Sequence, residues 1–252
     1  MVLPRPNPGA RLRLFCFPYA GGGAAIFAPW GRMLPAEVEV VAVQLPGREN
    51  RIGERPIAEM GELIPKMAEE LARFMDRPFA FFGHSNGGLM AFELTRLLRR
   101  EGRTGPLCLI TSGRPAPHVD IDSPELHALP EAEFHDALRR FNGTPEEVLQ
   151  NAEIMALITP MLRADFALGE NYVYTPEPPL AIPVASYGGR TDAEVPEWSI
   201  EAWRDQAAGE FRVVMFPGGH FFINEDRDRV LAELTRDLRS VLARPGGYPA
   251  HA

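Results

Sequence analysis

Two hydrophobic periods alternate along the chain. Short runs rich in apolar, β-branched or aromatic residues occupy positions 12–17, 38–44, 79–82, 107–111, 182–187 and 211–216, each with the length of a strand. Many are apolar at consecutive rather than alternate positions, as in strands covered on both faces. Between many of them lie longer stretches with apolar residues three and four apart, the period of a helix with one buried face. Residues 57–75 place Met60, Leu63, Ile64, Met67, Leu71 and Phe74 on one stripe, with Pro65 inside it as an expected kink. Residues 92–98 and 230–242 follow the same spacing. The alternation predicts a single α/β domain over residues 1–252, a mainly parallel sheet flanked by helices.

That alternation stops between about residues 122 and 174. Helical patterns there ("PEAEFHDALRRF", "TPEEVLQNAEIMALITPMLRADFALGENY") follow one another with no strand between them. An inserted helical subdomain is expected, and because ligands of open parallel sheets bind beyond the carboxyl ends of the strands, it is placed to overhang the site as a lid. Met155, Met161 and Phe166 are expected to pack that lid, with the lining of a substrate channel as the alternative. The Pro-rich "YTPEPPLAIP" returns the chain to the sheet, and residues 243–252 read as a loose tail.

Composition narrows the classes of function. Hydrophobic residues at 45% and charged residues at 24% are a globular balance. A formal net charge of -8 argues against general nucleic-acid binding, which needs a basic face to displace counterions. No apolar run is long enough to span a bilayer and the start lacks a secretory apolar segment, so a cytoplasmic protein with no membrane association is expected. Cys16 and Cys108 sit in apolar strand-like runs without metal or dithiol spacing, and read as core residues.

The candidate chemistry centres on Gly83-His84-Ser85-Asn86-Gly87, a G-x-S-x-G pattern with an apolar strand before it and a helix after it. A sharp strand-to-helix turn lifts the serine clear of the sheet, and the unpaired N–H groups at the start of the helix face any oxyanion formed there. A serine nucleophile needs a base and an orienting carboxylate. Of the six histidines, His84 adjoins the serine, while His118, His127, His135 and His251 lie in or near the insertion or in the tail. His220 follows the last predicted strand and so shares the carboxyl-end face with Ser85. Asp192 follows the strand before it, with Glu194 as its nearest rival. Ser85, Asp192, His220 is the order of an α/β-hydrolase triad. The glycine-rich "FPYAGGGAAIF" after the first strand offers the second oxyanion donor, which assigns these donors to the backbone N–H groups of Ala20 and Asn86. No phosphate-binding glycine pattern accompanies these glycines.

Taken together, "LFCFPYAGGGAAIFAPW", "VVAVQLPGRENRIGERP", "FFGHSNGGLMAFELTRLL", "TSGRPAP", "MLRADFALGENYVY", "GGRTDAEV", the Trp203 region and "FPGGHFFI" resemble the type II thioesterases that accompany polyketide synthases and nonribosomal peptide synthetases. The resemblance extends from about Leu14 to Ile223 in family order. It implies an α/β-hydrolase fold with a mobile helical lid, and Ser85, His220 and Asp192 as the triad. It further implies hydrolysis of acyl groups from the phosphopantetheine thiol of acyl or peptidyl carrier proteins, without metal or organic cofactor; a monomer is expected. Asn86 departs from the methionine frequent at that place in the family, and is expected to alter the polarity of the pocket. Arginines 48, 51 and 55, or 96, 99, 100 and 103, are candidates for a carrier-docking patch, with solvated, internally paired faces as the competing reading; Arg48 is also placed to brace its own loop. A general carboxylesterase or acyltransferase, or a hydrolase-fold binding protein without catalysis, are the alternatives.

Overall fold

The computed structural model describes residues 1–121, 124–141 and 143–244. Most of the expected tail, His251 included, lies outside the described residues, as do positions 122, 123 and 142 of the insertion. Six strands form one sheet in the order β2-β1-β3-β4-β5-β6: β1 Leu12–Phe17, β2 Val38–Ala42, β3 Phe79–His84, β4 Leu109–Ser112, β5 Val184–Gly189 and β6 Phe211–Phe216. Every pairing is parallel. The chain moves outward from β1 to β2, then crosses back to β3 on the other side of β1. That reversal places a topological switch point between β1 and β3, where the loops leaving two neighbouring strands diverge and open a crevice.

The helices are α1 Trp30–Met33, α2 Met60–Ala72, α3 Asn86–Arg100, α4 Glu131–Phe141, α5 Glu146–Leu149, α6 Ala152–Glu170, α7 Glu197–Glu201, α8 Phe222–Glu225 and α9 Arg227–Leu242. Helix α2 continues through Pro65, as α6 does through Pro160. Several bounds differ from the sequence reading for one reason. Gly83 and His84 pair with Thr111 and Ser112, and Gly188 and Gly189 pair with Met215 and Phe216. Glycine and histidine do not register as apolar, so the carboxyl ends of the strands were shorter in the hydrophobic pattern than in the ladder. Helix α3 starts at Asn86, directly after the serine as the motif requires, while its apolar period is readable only farther along because Gly87 and Gly88 carry no side chain.

Alternation of side chains distributes the sheet between two cores. Phe15, Phe79 and Phe81 pack on α2 and α3 through Leu63, Met67, Leu89 and Leu94. Leu14, Val40, Ala80 and Phe82 pack with Leu231, Leu234 and Leu238 of α9 on the opposite face. Both cysteines are free and buried in that second core. Arg13 interrupts the apolar run of β1 yet is nearly buried; its Nε donates to Glu39 of the adjacent β2 residue at 2.7 Å, so the charge enters with its partner. Between β4 and β5, helices α4 to α6 build a smaller core of Leu126, Phe134, Leu138, Leu149, Met155 and Leu162, while Leu168 near the end of α6 joins the main core.

Phe81 meets Phe15 and Phe17 edge to face, with ring centroids 5.7 and 5.2 Å away. Phe81→Ala should therefore lower the unfolding free energy by about 3–5 kcal/mol, with the urea m-value unchanged. Chemical denaturation measures it, and a loss under about 1 kcal/mol would mean that this cluster does not bear on stability.

Candidate active site

At the carboxyl end of β3 the backbone turns into α3 at a single residue. Ser85 has φ 53° and ψ -121°, a left-handed conformation that costs a non-glycine residue roughly 1–3 kcal/mol. Its N–H donates to the Ser112 carbonyl at the end of β4 at 2.7 Å, fixing the turn against the neighbouring strand. Its neighbours must be small. A Cβ on Gly83 would strike the Gly87 backbone, and one on Gly87 would strike the Phe17 carbonyl. The Ser85 side chain makes no capping bond to α3, which leaves its hydroxyl to the cavity above.

His220 lies in the loop after β6 and Asp192 in the loop after β5. The His220 Nδ1 is 2.7 Å from Asp192 Oδ2, in a carboxylate side chain only 1% exposed. Asp192 is itself held, because Oδ1 accepts from the backbone N–H groups of Glu194 and Val195 at 3.0 and 3.2 Å. Glu194, the rival in the sequence, thus contributes its backbone to placing Asp192 while its side chain lines the cavity. With Nδ1 donating to Asp192, Nε2 is the imidazole nitrogen able to act as a base. Beneath His220, at 5.1 Å between ring centroids, lies fully buried His84, with its Nδ1 2.8 Å from the Ser112 hydroxyl. Burial first, and the neighbouring His220 second, hold the His84 ring well below the usual histidine value of 6.5. A neutral ring adds no positive charge under the imidazole that must accept a proton.

Two limbs of one cavity meet at Ser85, Ala20 and His220. One limb, of about 340 Å³, is predominantly apolar and runs under the insertion between Ile52, Leu138, Ile158, Met161 and Leu162. The other, of about 300 Å³, is bounded by the loop after β4 and presents Arg114, Glu170, Tyr172 and Glu194. Phe141 and Phe166 stand between the limbs and line both. Burial draws the Arg114 guanidinium down to about 10, still protonated at neutral pH. Among the described residues no cluster of histidine, cysteine or acidic side chains could hold a metal ion, and no helix is long and apolar enough to cross a membrane.

The structure brings Ser85, Asn86, Ala20, His220 and Asp192 to one site. It does not bring His118, His127 or His135 there: His118 meets Asp205, His127 meets Glu170 and His135 meets Thr159. One expectation changes, and of the two readings of the arginines the structure favours the internally paired one. The Asn86 side chain does not line the cavity as a free polar group; Nδ2 donates to the Asp165 carbonyl of α6 at 2.6 Å and Oδ1 accepts from Arg114 at 3.0 Å. Most of the candidate docking arginines are paired within the chain. Arg48 and Arg96 have side chains only 5% and 3% exposed, Arg99 and Arg100 pair with Glu177, Arg51 with Glu54 and Arg103 with Glu101. Arg48 braces not its own loop alone but the one after β1, donating to the Gly22 carbonyl at 2.9 Å. Sequence reasoning missed Asp165 and Arg114 as site residues; Met161 and Phe166, expected mainly to pack the lid, also line the cavity. For Asp165 a signal existed, since it is a lone charge on the buried stripe of an amphipathic helix.

A family profile described as the thioesterase domain matches residues 12–238. The gramicidin S biosynthesis protein GrsT of Aneurinibacillus migulanus is 45% identical over 237 residues, covering 94% of this chain and 93% of that protein. Among solved structures, the RedJ thioesterase of the prodiginine biosynthetic pathway of Streptomyces coelicolor superposes with a TM-score of 0.86 at 38% identity, covering 92% of each chain. YbtT, a type II thioesterase from the yersiniabactin nonribosomal peptide and polyketide pathway, superposes with a TM-score of 0.86 at 30% identity, covering 96% of this chain and 99% of its own. The fold is that of the α/β-hydrolases.

Two expectations follow from the geometry. A fluorophosphonate should label Ser85; Asp192→Asn should slow labelling by at least about 100-fold, and Glu194→Gln by less than about threefold, as read by intact-protein mass spectrometry. Equal effects of the two substitutions would contradict the pairing. The second concerns pH. The unfolded chain protonates His84 near 6.5 while the folded state resists, so its stability contribution is whole above that value and is lost as pH falls below it. Relative to His84→Gln, the wild type should lose about 1.4 kcal/mol per pH unit below about pH 6 in urea unfolding, and parallel curves would contradict a neutral His84.

Proposed function

The chain belongs to the thioesterase domain family, and we propose that it is a type II thioesterase that clears acyl groups from the phosphopantetheine arms of carrier proteins in nonribosomal peptide or polyketide assembly. The observation that carries this reading is the two-limbed cavity with Ser85 at its junction. An acyl thioester has an apolar half and an amide-bearing pantetheine half, with the reactive carbonyl between them. The apolar limb suits the acyl chain. The limb that presents Arg114 suits the pantetheine amides, whose carbonyls accept hydrogen bonds.

Catalysis follows from the placement of the groups. The Ser85 oxygen attacks the thioester carbonyl while His220 Nε2 takes its proton, and Asp192 Oδ2 stabilises the imidazolium through Nδ1–H. Negative charge forming on the carbonyl oxygen is met by the backbone N–H groups of Ala20 and Asn86, the latter in the first turn of α3 and so without an intrahelical acceptor. Collapse breaks the carbon–sulfur bond, and the thiol leaves with the proton from His220. Water then attacks the acyl-serine, with His220 again as base, and the carboxylic acid is released. None of these steps requires a metal or an organic cofactor. Helices α4 and α5 act as a lid over the acyl limb, and their opening admits the chain.

Ser85→Ala should abolish release of acyl groups from a purified acyl carrier protein while leaving the circular dichroism spectrum unchanged; retained turnover would exclude Ser85 as nucleophile. Ile158→Trp narrows the apolar limb. It should reduce kcat/KM for an eight-carbon acyl carrier by roughly 10- to 200-fold and leave acetyl within about threefold, the discrimination expected when chain length is read by an apolar pocket. Equal losses for both chains would place the acyl group elsewhere.

A further inference from the structure

Helix α6 carries one carboxylate on its buried face. Asp165 has a side chain 3% exposed, and each of its oxygens is engaged. Oδ1 accepts from Arg48 Nη2 at 2.7 Å, and Oδ2 accepts both from Arg48 Nη1 and from the backbone N–H of Gly21, each at 2.7 Å. Arg48 Nη1 also donates to the Gly22 carbonyl. A carboxylate of the insertion is thus bonded directly to the loop after β1, one residue past Ala20. Its own backbone carbonyl accepts from Asn86 Nδ2 at 2.6 Å. One residue of α6 therefore touches both segments whose N–H groups face the oxyanion.

Steric contacts on the same helix face agree. A Cβ on Gly21, at φ +78°, would come within 2.7 Å of Leu162 Cδ2, and one on Gly169 would come within 2.5 Å of Asn86 Oδ1. Leu162, Asp165 and Gly169 are spaced as i, i+3 and i+7, so they share one face of α6. That face rests on the Ala20 loop at one end and on the start of α3 at the other. The register of the two oxyanion donors is then a property of α6, not only of the strands that precede them.

We propose that Asp165, paired with Arg48, is a positioning residue for the oxyanion hole, and that α6 is the fixed wall of the insertion while movement is confined to α4 and α5. The proposal rests on the thioesterase reading and on the donors assigned to Ala20 and Asn86. Asp165 touches no substrate atom. It acts by holding the Ala20 loop and Asn86 at the separation that a tetrahedral oxyanion needs and a planar thioester does not, so its effect falls on the transition state.

The test uses the full chain, an acyl carrier protein substrate and two pantetheine probes with the same acyl chain. A trifluoromethyl ketone forms a tetrahedral adduct with the serine; a thioether cannot. Asp165→Asn should lower kcat roughly 10- to 100-fold with KM within about twofold, less than the roughly 100- to 1000-fold loss from deleting a donor outright. Affinity for the trifluoromethyl ketone should fall by the same factor as kcat, with affinity for the thioether unchanged. If Asp165→Asn does not fold because Arg48 is left buried and unpaired, the double variant Arg48→Met/Asp165→Leu removes both charges and restores the fold; it should show the same loss in kcat. Hydrogen exchange should protect residues 162–170 as strongly as α3, while residues 131–149 exchange faster. Wild-type kcat in a folded variant, equal weakening of both probes, or α6 exchanging as fast as α4 would overturn the proposal. Turnover that survives Ser85→Ala would instead overturn the underlying thioesterase reading.

Discussion

The structure depends on one strained residue. Ser85 sits at φ 53° where β3 becomes α3, and its conformation is held by the hydrogen bond to Ser112 and by glycines on either side that admit backbone from β1 and α3. The roughly 1–3 kcal/mol stored there is offset by the buried apolar strands around it. Because β3 lies beside β1 at the switch point, the same turn that lifts the hydroxyl also brings the first N–H of α3 next to the loop after β1. The proposed nucleophile and oxyanion donors therefore meet at one turn in a sheet of fixed strand order, with α6 bracing both donor segments.

Around that turn the charges suit the proton transfer proposed for one imidazole. Asp192, nearly buried and anchored by two backbone N–H groups, fixes His220. His84, close beneath it, is held neutral by burial and packs without competing for the proton. Asp165 and Arg48 carry the other buried charge pair of the site, and it links the insertion to the oxyanion loop. The insertion is thus two parts with different mechanical roles. Helices α4 and α5 pack only in its small core, whereas α6 shares that core through Met155, Met161 and Leu162 but ends in the main core through Leu168 and bonds to both sides of the site.

Much of this was legible in the sequence because the signals are local. Strand-length apolar runs located all six strands, and the helix-only stretch after the fourth run located the insertion. Ser85, Asp192 and His220 could be singled out as candidates because each follows a predicted strand, which is enough to place loops on one face of a parallel sheet. What was not legible is long-range and polar. The bond from Asp165 to Gly21 spans 144 residues, and that from Asn86 to the Asp165 carbonyl spans 79; no period reports such pairs. The arginine clusters left two readings open for the same reason. Charge runs give no hint of acidic partners far along the chain, such as the Glu177 that takes Arg96, Arg99 and Arg100 together. Asn86 was recognised as unusual, but its side chain serves the packing of α6 rather than the polarity of the pocket.

In the mechanism proposed for this chain, an acyl group passes from a carrier-protein thioester to Ser85 before it reaches water. Rapid acid quenching of the wild-type chain mixed with an acyl carrier protein, followed by peptide mass spectrometry, tests it directly. A transient adduct of the acyl mass is expected on the peptide containing Ser85, formed as free carrier thiol appears and lost as the carboxylic acid accumulates. Acid release at full rate with the adduct on another residue, or with no adduct under conditions that trap an acyl-serine, would contradict it.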